Sequence, residues 1–265
     1  MTNIISIQST VLNDLVGNQA ARYILTPKNY KFFEIPTVAL TSHKAHKNSI
    51  QLHSKRLNPW KIFNSLKKTY KFNSRSFTIV GYTPDLPTAK FVQKIILTQK
   101  NVLLDPVMGD IGIGFYVKKD VANFFREMAS KVSYISANFF EWSFLSGRNI
   151  DFYPLEEILF DLKKFSINNN SSIFIRSIPF EGELLNVLCK KNQIWGISSP
   201  YINFKNRFHG AGDLSTALYA DNILKKNSLK KTLENVTKEI FMHLNKYQNN
   251  RRKNILFKAR NLSSL

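Results

Sequence analysis

The chain has 265 residues, 43% of them hydrophobic, which is enough for one large α/β domain or two small ones with a proper core. A single cysteine, Cys189, excludes an intramolecular disulfide and a cysteine-based zinc site, and no apolar run of about 18 residues is present to cross a bilayer. The formal charge of +20 allows a polyanionic partner, but the basic residues are spread along the chain and not interleaved with exposed aromatics, so nucleic acid is not expected.

The first residues lack a basic segment ahead of an apolar one, so they predict a first strand over residues 3 to 8 and a cytoplasmic, reducing setting. A polar turn, Val16-Gly17-Asn18, leads into a helix from Gln19 to Leu25. Ser9 and Asn18 then lie at the carboxyl end of a strand, where open α/β sheets bind ligands. A second strand runs from Phe33 to Leu40 and ends in Thr41-Ser42-His43-Lys44. Helical spacing follows over Pro59 to Tyr70, a strand over Phe77 to Val80 closed by Gly81-Tyr82, and a helix over Pro87 to Leu97. The strand Val102-Leu103-Leu104 ends in Asp105-Pro106-Val107-Met108-Gly109-Asp110, two carboxylates at a strand terminus. Such a pair suits either a magnesium ion held through water and phosphate or a plain capped loop.

A helix is predicted over Val117 to Val132 and a strand over Tyr134 to Ala137. Asn138 and Glu141 follow, three apart at a helix start, placed so that both can point into one cleft. Helix Leu155 to Phe165 and three strands, Ile173 to Ile175, Leu184 to Cys189 and Ile194 to Ile197, precede Gly210-Ala211-Gly212-Asp213, where another helical pattern begins. The last amphipathic helix runs from Leu229 to Leu244. Strands alternating with helices predict a single doubly wound, mostly parallel α/β sandwich over residues 1–248, followed by a basic tail over 249–265.

The Gly-Ala-Gly-Asp stretch fits an anion cradle: backbone N–H groups unobstructed by side chains, at the positive end of a helix. A carboxylate in the mouth of such a cradle suits a general base that strips a proton from a hydroxyl. Alone, the same four residues fit a loop whose Asp caps a helix.

The order and spacing of several motifs give more. Ser6-Ile7-Gln8-Ser9, Val16-Gly17-Asn18-Gln19-Ala20-Ala21, Thr37-Val38, Gly81-Tyr82, Asp105 to Asp110, Asn138-Phe139-Phe140-Glu141, Leu145-Ser146-Gly147-Arg148 and Gly210 to Asp213 together resemble the pyridoxal kinases of the ribokinase-like superfamily, from about Ile4 to Leu244. The resemblance implies ATP- and Mg²⁺-dependent phosphorylation of the 5′-hydroxymethyl group of pyridoxal, in vitamin B6 salvage, by a homodimer. It implies Asp213 as catalytic base, an anion hole from the backbone of Gly210, Ala211 and Gly212, and nucleotide phosphates and metal organised by Asp105, Asn138 and Glu141. Asp105 and Glu141 would be the residues on the metal side, while Ser9, Val16, His43 and Tyr82, with Asp213, would line the vitamer pocket.

The chain departs from that pattern along the pocket wall. Asn13, Asp14 and Leu15 precede Val-Gly-Asn in place of the usual aromatic and glycine, Leu40 stands where an aromatic is common, Lys44 follows His43, and Ala211 replaces a threonine. These changes touch acceptor choice more than reaction type. The alternatives are a related hydroxymethylpyrimidine-type kinase and a degenerate kinase fold kept as a binding protein, against which the intact Asp213 and Asp105-to-Asp110 loop speak.

Overall fold

A computed structural model describes residues 1–52, 57–202, 208–247 and 257–264. In chain order the elements are β1 (Asn3–Val11), α1 (Asn18–Leu25), β2 (Lys31–Leu40), β3 (Gln51–Leu52), α2 (Pro59–Tyr70), β4 (Phe77–Val80), α3 (Leu86–Thr98), β5 (Asn101–Leu104), β6 (Gly109–Asp110), β7 (Gly114–Phe115), α4 (Lys119–Ala129), β8 (Tyr134–Asn138) and α5 (Phe139–Ser146). They continue with α6 (Leu155–Asn169), β9 (Ser172–Phe180), β10 (Glu183–Lys190), β11 (Gln193–Ser199), α7 (Ala211–Leu224), α8 (Leu229–Tyr247) and β12 (Arg260–Asn261).

Among the described residues the main sheet has ten strands in the order β12-β11-β10-β9-β8-β5-β4-β1-β2-β3. The six central strands, β9 through β2, pair parallel, and antiparallel strands close both edges. The α/β sandwich expected from the alternation of strands and helices is what forms. Successive strand residues point to opposite faces: Ile5, Val80, Leu104 and Ile175 enter one core cluster, while Ile4, Ile79, Leu103 and Phe174 enter the other. Helices α2 to α6 cover the first face, and α1, α7 and α8 cover the second.

Helix starts follow local chemistry. Asn58 and Asp85 each accept a hydrogen bond from a backbone N–H three residues on, and Pro59 and Pro87 occupy early helical positions that need no N–H partner. The helix expected over Val117 to Val132 is shorter at both ends; it starts late because Lys118 is extended and serves as its N-cap, and it ends at Ala129 with Ser130 as C-cap. Pro36 is tolerated inside β2 because β3 reaches only Ala39 and Leu40, leaving that side of the strand as an edge.

The boundary expected at residue 248 is not a boundary of packing. Phe257 and Ala259 are buried in the α1/α7/α8 core, and β12 adds to β11 through Trp195↔Asn261 and Gly196↔Arg260. The basic run Arg251-Arg252-Lys253 lies outside the described residues. No helix among the described residues is long and apolar enough to cross a membrane.

Candidate active site

The turn after β1, Asp105 just beyond β5, Ser136 of β8 and Arg176 of β9 all meet the first turns of α7. Ala211, Gly212 and Asp213 are not a loop before that helix but its first turn, with Gly210 as N-cap. The N–H groups of a first turn have no intrahelical acceptor, so the cradle is the helix terminus itself. Gly210 has φ +96, and a Cβ there would collide with the carbonyl of Leu15. The turn between β1 and α1 therefore packs directly on the cradle.

Gly17 joins the two halves of the site. A Cβ on it would strike Ser9, so the Ser9 backbone and hydroxyl lie against it. Its N–H donates to the Asp213 carboxylate. Ser9 and Asp213 are thus both contacts of one residue. Asn18 fixes this turn by donating to the Gln8 carbonyl and the Thr10 hydroxyl, each at 3.0 Å. The register of β1 on β2 slips between Gln8 and Thr10, with the extra residue on β2, and the Thr37 hydroxyl at that slip donates to the Tyr82 carbonyl at 2.6 Å.

Asp213 is half-buried. Burial of its carboxyl, then the charge of Asp105, pushes its pKa up to about 7 against an ordinary 3.8, although the N–H of Gly17 and the charge of Arg176 work the other way. Asp105 and Glu141 are both buried. Asn138 and Glu141 form a capping box at the start of α5: Glu141 N–H donates to Asn138 Oδ1 at 2.8 Å, and Asn138 N–H donates to Glu141 Oε2 at 2.8 Å. Met108 N–H donates to the other Glu141 oxygen at 3.2 Å, and Asn138 Nδ2 donates to the Gly109 carbonyl at 2.9 Å. The two side chains therefore brace the Asp105-to-Asp110 loop. Burial, followed by the charge of Asp105, holds the Glu141 carboxyl well above the usual carboxylate range.

The residue the sequence did not single out is Arg176, buried midway along β9 opposite Asn138, where the pairing with β8 ends. Its guanidinium reaches Asp105 at 3.2 Å and Glu141 at 3.7 Å. It also donates to the Gly212 carbonyl at 2.9 Å, the Thr216 hydroxyl at 2.7 Å and the Ser136 hydroxyl at 3.0 Å. Thr216 completes the ring by donating to Asp105 at 2.5 Å. A bulge follows Arg176: Ser177 has φ +59, and the register of β9 on β10 slips between Leu185 and Val187. Such bulges re-aim the neighbouring side chain. One positive fork thus ties two buried carboxylates to the cradle of α7. The available sign was an arginine directly after the apolar run Ile173-Phe174-Ile175, with Ile178 beyond it. Tyr116, 46% exposed overall, has a hydroxyl pushed well up by burial and by Glu141, Asp105, Asp213 and Asp110, which places it among the four carboxylates of this end.

At the other end, Val11, Val38 and Leu40 form a small apolar cluster with Val16 and Tyr82 packed on it. Lys44 Nζ lies 3.3 Å from the Tyr82 hydroxyl and 5.5 Å from its ring centre. His43 is held by its N–H to Asp14 Oδ2 at 2.6 Å. Ser9 and Asp213 thus meet at Gly17, Val16 and Tyr82 share one apolar cluster, and His43 joins this side through Asp14 and through its ring on His209. Among the described residues no group of three His, Cys, Asp or Glu side chains is placed to hold a metal by itself.

Residues 79–252 match the phosphomethylpyrimidine kinase family. The chain belongs to that family. Members of it, and proteins named pyridoxal kinase, are its neighbours in sequence and structure. The pyridoxal kinase PdxY of Rubrobacter xylanophilus is 23% identical over 256 residues, covering 92% of this chain and 87% of its own. The pyridoxal kinase of Entamoeba histolytica superposes with a TM-score of 0.81 at 20% identity, covering 99% of this chain and 100% of its own. The PdxK of Plasmodium falciparum, solved with AMP-PNP and PL, superposes with a TM-score of 0.83 at 21% identity, covering 98% and 99%. The family makes the chain a kinase of the pyridoxal and hydroxymethylpyrimidine type; at these identities the acceptor is not fixed by kinship.

Proposed function

We propose that this kinase transfers the γ-phosphoryl group of ATP to the 5′-hydroxymethyl group of pyridoxal, giving pyridoxal 5′-phosphate and ADP. The observation that carries this is the Asp213 carboxylate, with a pKa pushed up to about 7, seated in the first turn of α7. A base poised near neutrality can take the proton of the acceptor hydroxyl as that oxygen bonds to the γ-phosphorus and the bond to the β-phosphate oxygen breaks. The N–H groups of Ala211 and Gly212 face the charge that develops on the transferred group. Ser9, Val16, His43 and Tyr82 would orient the acceptor ring, on the aliphatic bed of Val11, Val38 and Leu40.

Asp105, Asn138, Glu141, Gly210 and Gly212 would organise the nucleotide phosphates. Magnesium, when bound with the nucleotide, neutralises phosphate charge. The oxygens of Asp105 and Glu141 already accept hydrogen bonds from Arg176, Thr216, Asn138 and Met108, so these two residues suit an ion that arrives with phosphates and is met through water. The same proposal carries a cytoplasmic homodimer, for which light scattering of the purified protein is the check on assembly.

A hydroxymethylpyrimidine acceptor is the second reading, favoured by the family that matches residues 79–252. ADP release with pyridoxal, pyridoxine, pyridoxamine and hydroxymethylpyrimidine offered separately decides between them. Asp213→Asn is the control, because Asn keeps the size of the Asp side chain at this first-turn position but cannot take the proton. It should melt near the native temperature and turn over at least about 10²-fold more slowly. Normal turnover in that variant would make the carboxylate structural and remove the basis of the proposal.

A further inference from the structure

The segment from Thr41 to Ile50 is a compact loop closed on itself. Thr41 N–H donates to the Ile50 carbonyl at 3.0 Å, Ile50 N–H donates to the Thr41 hydroxyl at 2.9 Å, and the Ser49 hydroxyl donates to the Ser42 carbonyl at 2.6 Å. Beyond β2 and β3 it is anchored at the acceptor end of the cleft, by Asn13 on the Thr41 carbonyl, Asp14 on the His43 N–H and Tyr82 against Lys44. One further anchor lies on the opposite wall. The rings of His43 and His209 stack with centres 3.9 Å apart and planes at 17°. The ring of His46 stands edge-on to His209 at 6.5 Å and 71°. His43 Nδ1 accepts from Ala45 N–H at 3.2 Å, which ties its ring to the loop's own backbone.

His209 immediately precedes Gly210, the N-cap of α7, whose backbone is wedged against the Leu15 carbonyl. Its position along the chain is therefore fixed relative to the cradle. We propose that His209 is a positioning residue for the acceptor: its ring holds His43, and with it the Thr41-to-Ile50 loop, in register with the Gly210-to-Asp213 turn, so that the acceptor hydroxyl is presented to Asp213. The contact joins the acceptor end of the cleft to the phosphoryl end, so its loss weakens capture of the acceptor and leaves nucleotide binding at Asp105 and Glu141 intact. The inference rests on the kinase function proposed above.

The test compares His209→Leu, which keeps apolar bulk without a ring, with His209→Phe, which keeps a ring to stack on His43. KM for pyridoxal and KM for ATP are measured for both and for the native protein, with melting temperatures alongside. An aromatic contact of this kind is expected to move the pyridoxal KM of His209→Leu up on the order of 2- to 10-fold, with the ATP KM unchanged. His209→Phe should return the pyridoxal KM to within about twofold of native. An unmoved pyridoxal KM in His209→Leu, an equal rise in both KM values, or a Phe variant as impaired as the Leu variant would each overturn the proposal. If native protein turns over pyridoxal and one of these results appears, this inference alone fails. If native protein releases no ADP with any of the acceptors named above, the kinase proposal fails and takes this one with it.

Discussion

At the scale of single residues, Asp213 sets the chemistry and Arg176 acts on it through its charge. The Asp213 carboxyl is protonated below about 7, where it cannot act as a base. The kcat/KM for the acceptor is therefore expected to rise with pH through about 7 and level off above it, while a flat profile from pH 5 to 9 would remove Asp213 from the proton transfer. Stability moves the other way. The native state holds this proton more tightly than an unfolded chain with the ordinary value of 3.8, so the Asp213 contribution is full below that value and lost as pH rises through about 7. Asp213→Asn should flatten that part of the stability profile, as read by melting temperature against pH. Arg176 carries the charge that opposes the upward shift of Asp213 and pairs with Asp105 and Glu141. Arg176→Met leaves two buried carboxylates without their cation, a loss on the order of 3–5 kcal/mol in comparable pairs. Its folded fraction should show the acid limb of kcat/KM displaced to higher pH, whereas Arg176→Lys, which keeps the charge and loses the fork, should leave the limb in place with a lower kcat. An unshifted limb in the Met variant would separate Arg176 from the base. Asp213, Asp105, Asn138 and Glu141 were legible in the sequence because each ends a strand or opens a helix. Arg176 was not, because nothing in Ile-Phe-Ile-Arg-Ser tells which way a strand residue points once a bulge turns it.

At the scale of elements, the start of α7 depends on backbone that has no room for a side chain. Gly210 combines φ +96 with direct contact on the Leu15 carbonyl. Gly210→Ala imposes a left-handed conformation on a residue with a Cβ, about 1–2 kcal/mol, and also forces the Leu15 turn away from the cradle. The expected outcome is a lower melting temperature together with a lower kcat/KM for the acceptor, since Val16 and Gly17 move with Leu15. A variant that melts and turns over like the native protein would show that the two turns are not in contact. Long periodic elements such as α8, and apolar runs such as β4 and β5, were readable as they stand, since periodicity needs several residues to declare itself. The pairs β6–β7 and β11–β12 were not, because their short strands have two residues each. The reversal from parallel to antiparallel at β9, β10 and β11 left a trace that was available: the connections Glu181-Gly182 and Lys191-Asn192 are two residues long, and parallel strands need a far longer crossover.

At the scale of the whole molecule, the C-terminal segment shows where composition misleads. Its basic residues suggested a tail outside the fold, yet the apolar residues among them find places in it. Phe257 packs on Phe241 with ring centres 5.2 Å apart, Leu262 fills the space a side chain at Gly196 would need, and Leu262 N–H donates to the Ile194 carbonyl at 2.9 Å. Ile194 N–H donates to the Ser263 hydroxyl at 2.9 Å, and Lys163 reaches the Ser263 carbonyl at 2.7 Å. These contacts lie on the far edge of the sheet from Ser9 and the Thr41-to-Ile50 loop, and β10 and β11 separate them from Arg176 on β9. Truncation after Tyr247 should therefore act on stability and spare the chemistry. Loss of a buried Phe alone typically costs about 3–5 kcal/mol, and each kcal/mol moves the melting temperature by about 2–4 °C in a domain of this size. A fall on the order of 10 °C is expected, with near-native kcat for the folded protein assayed well below its new melting point. Unchanged melting would mean that Phe257 and Leu262 contribute nothing to the core they enter. Folded, truncated protein that has lost its turnover would mean that the C-terminal segment belongs to the site, and that the sheet edge and the cleft are coupled through β9 and Arg176.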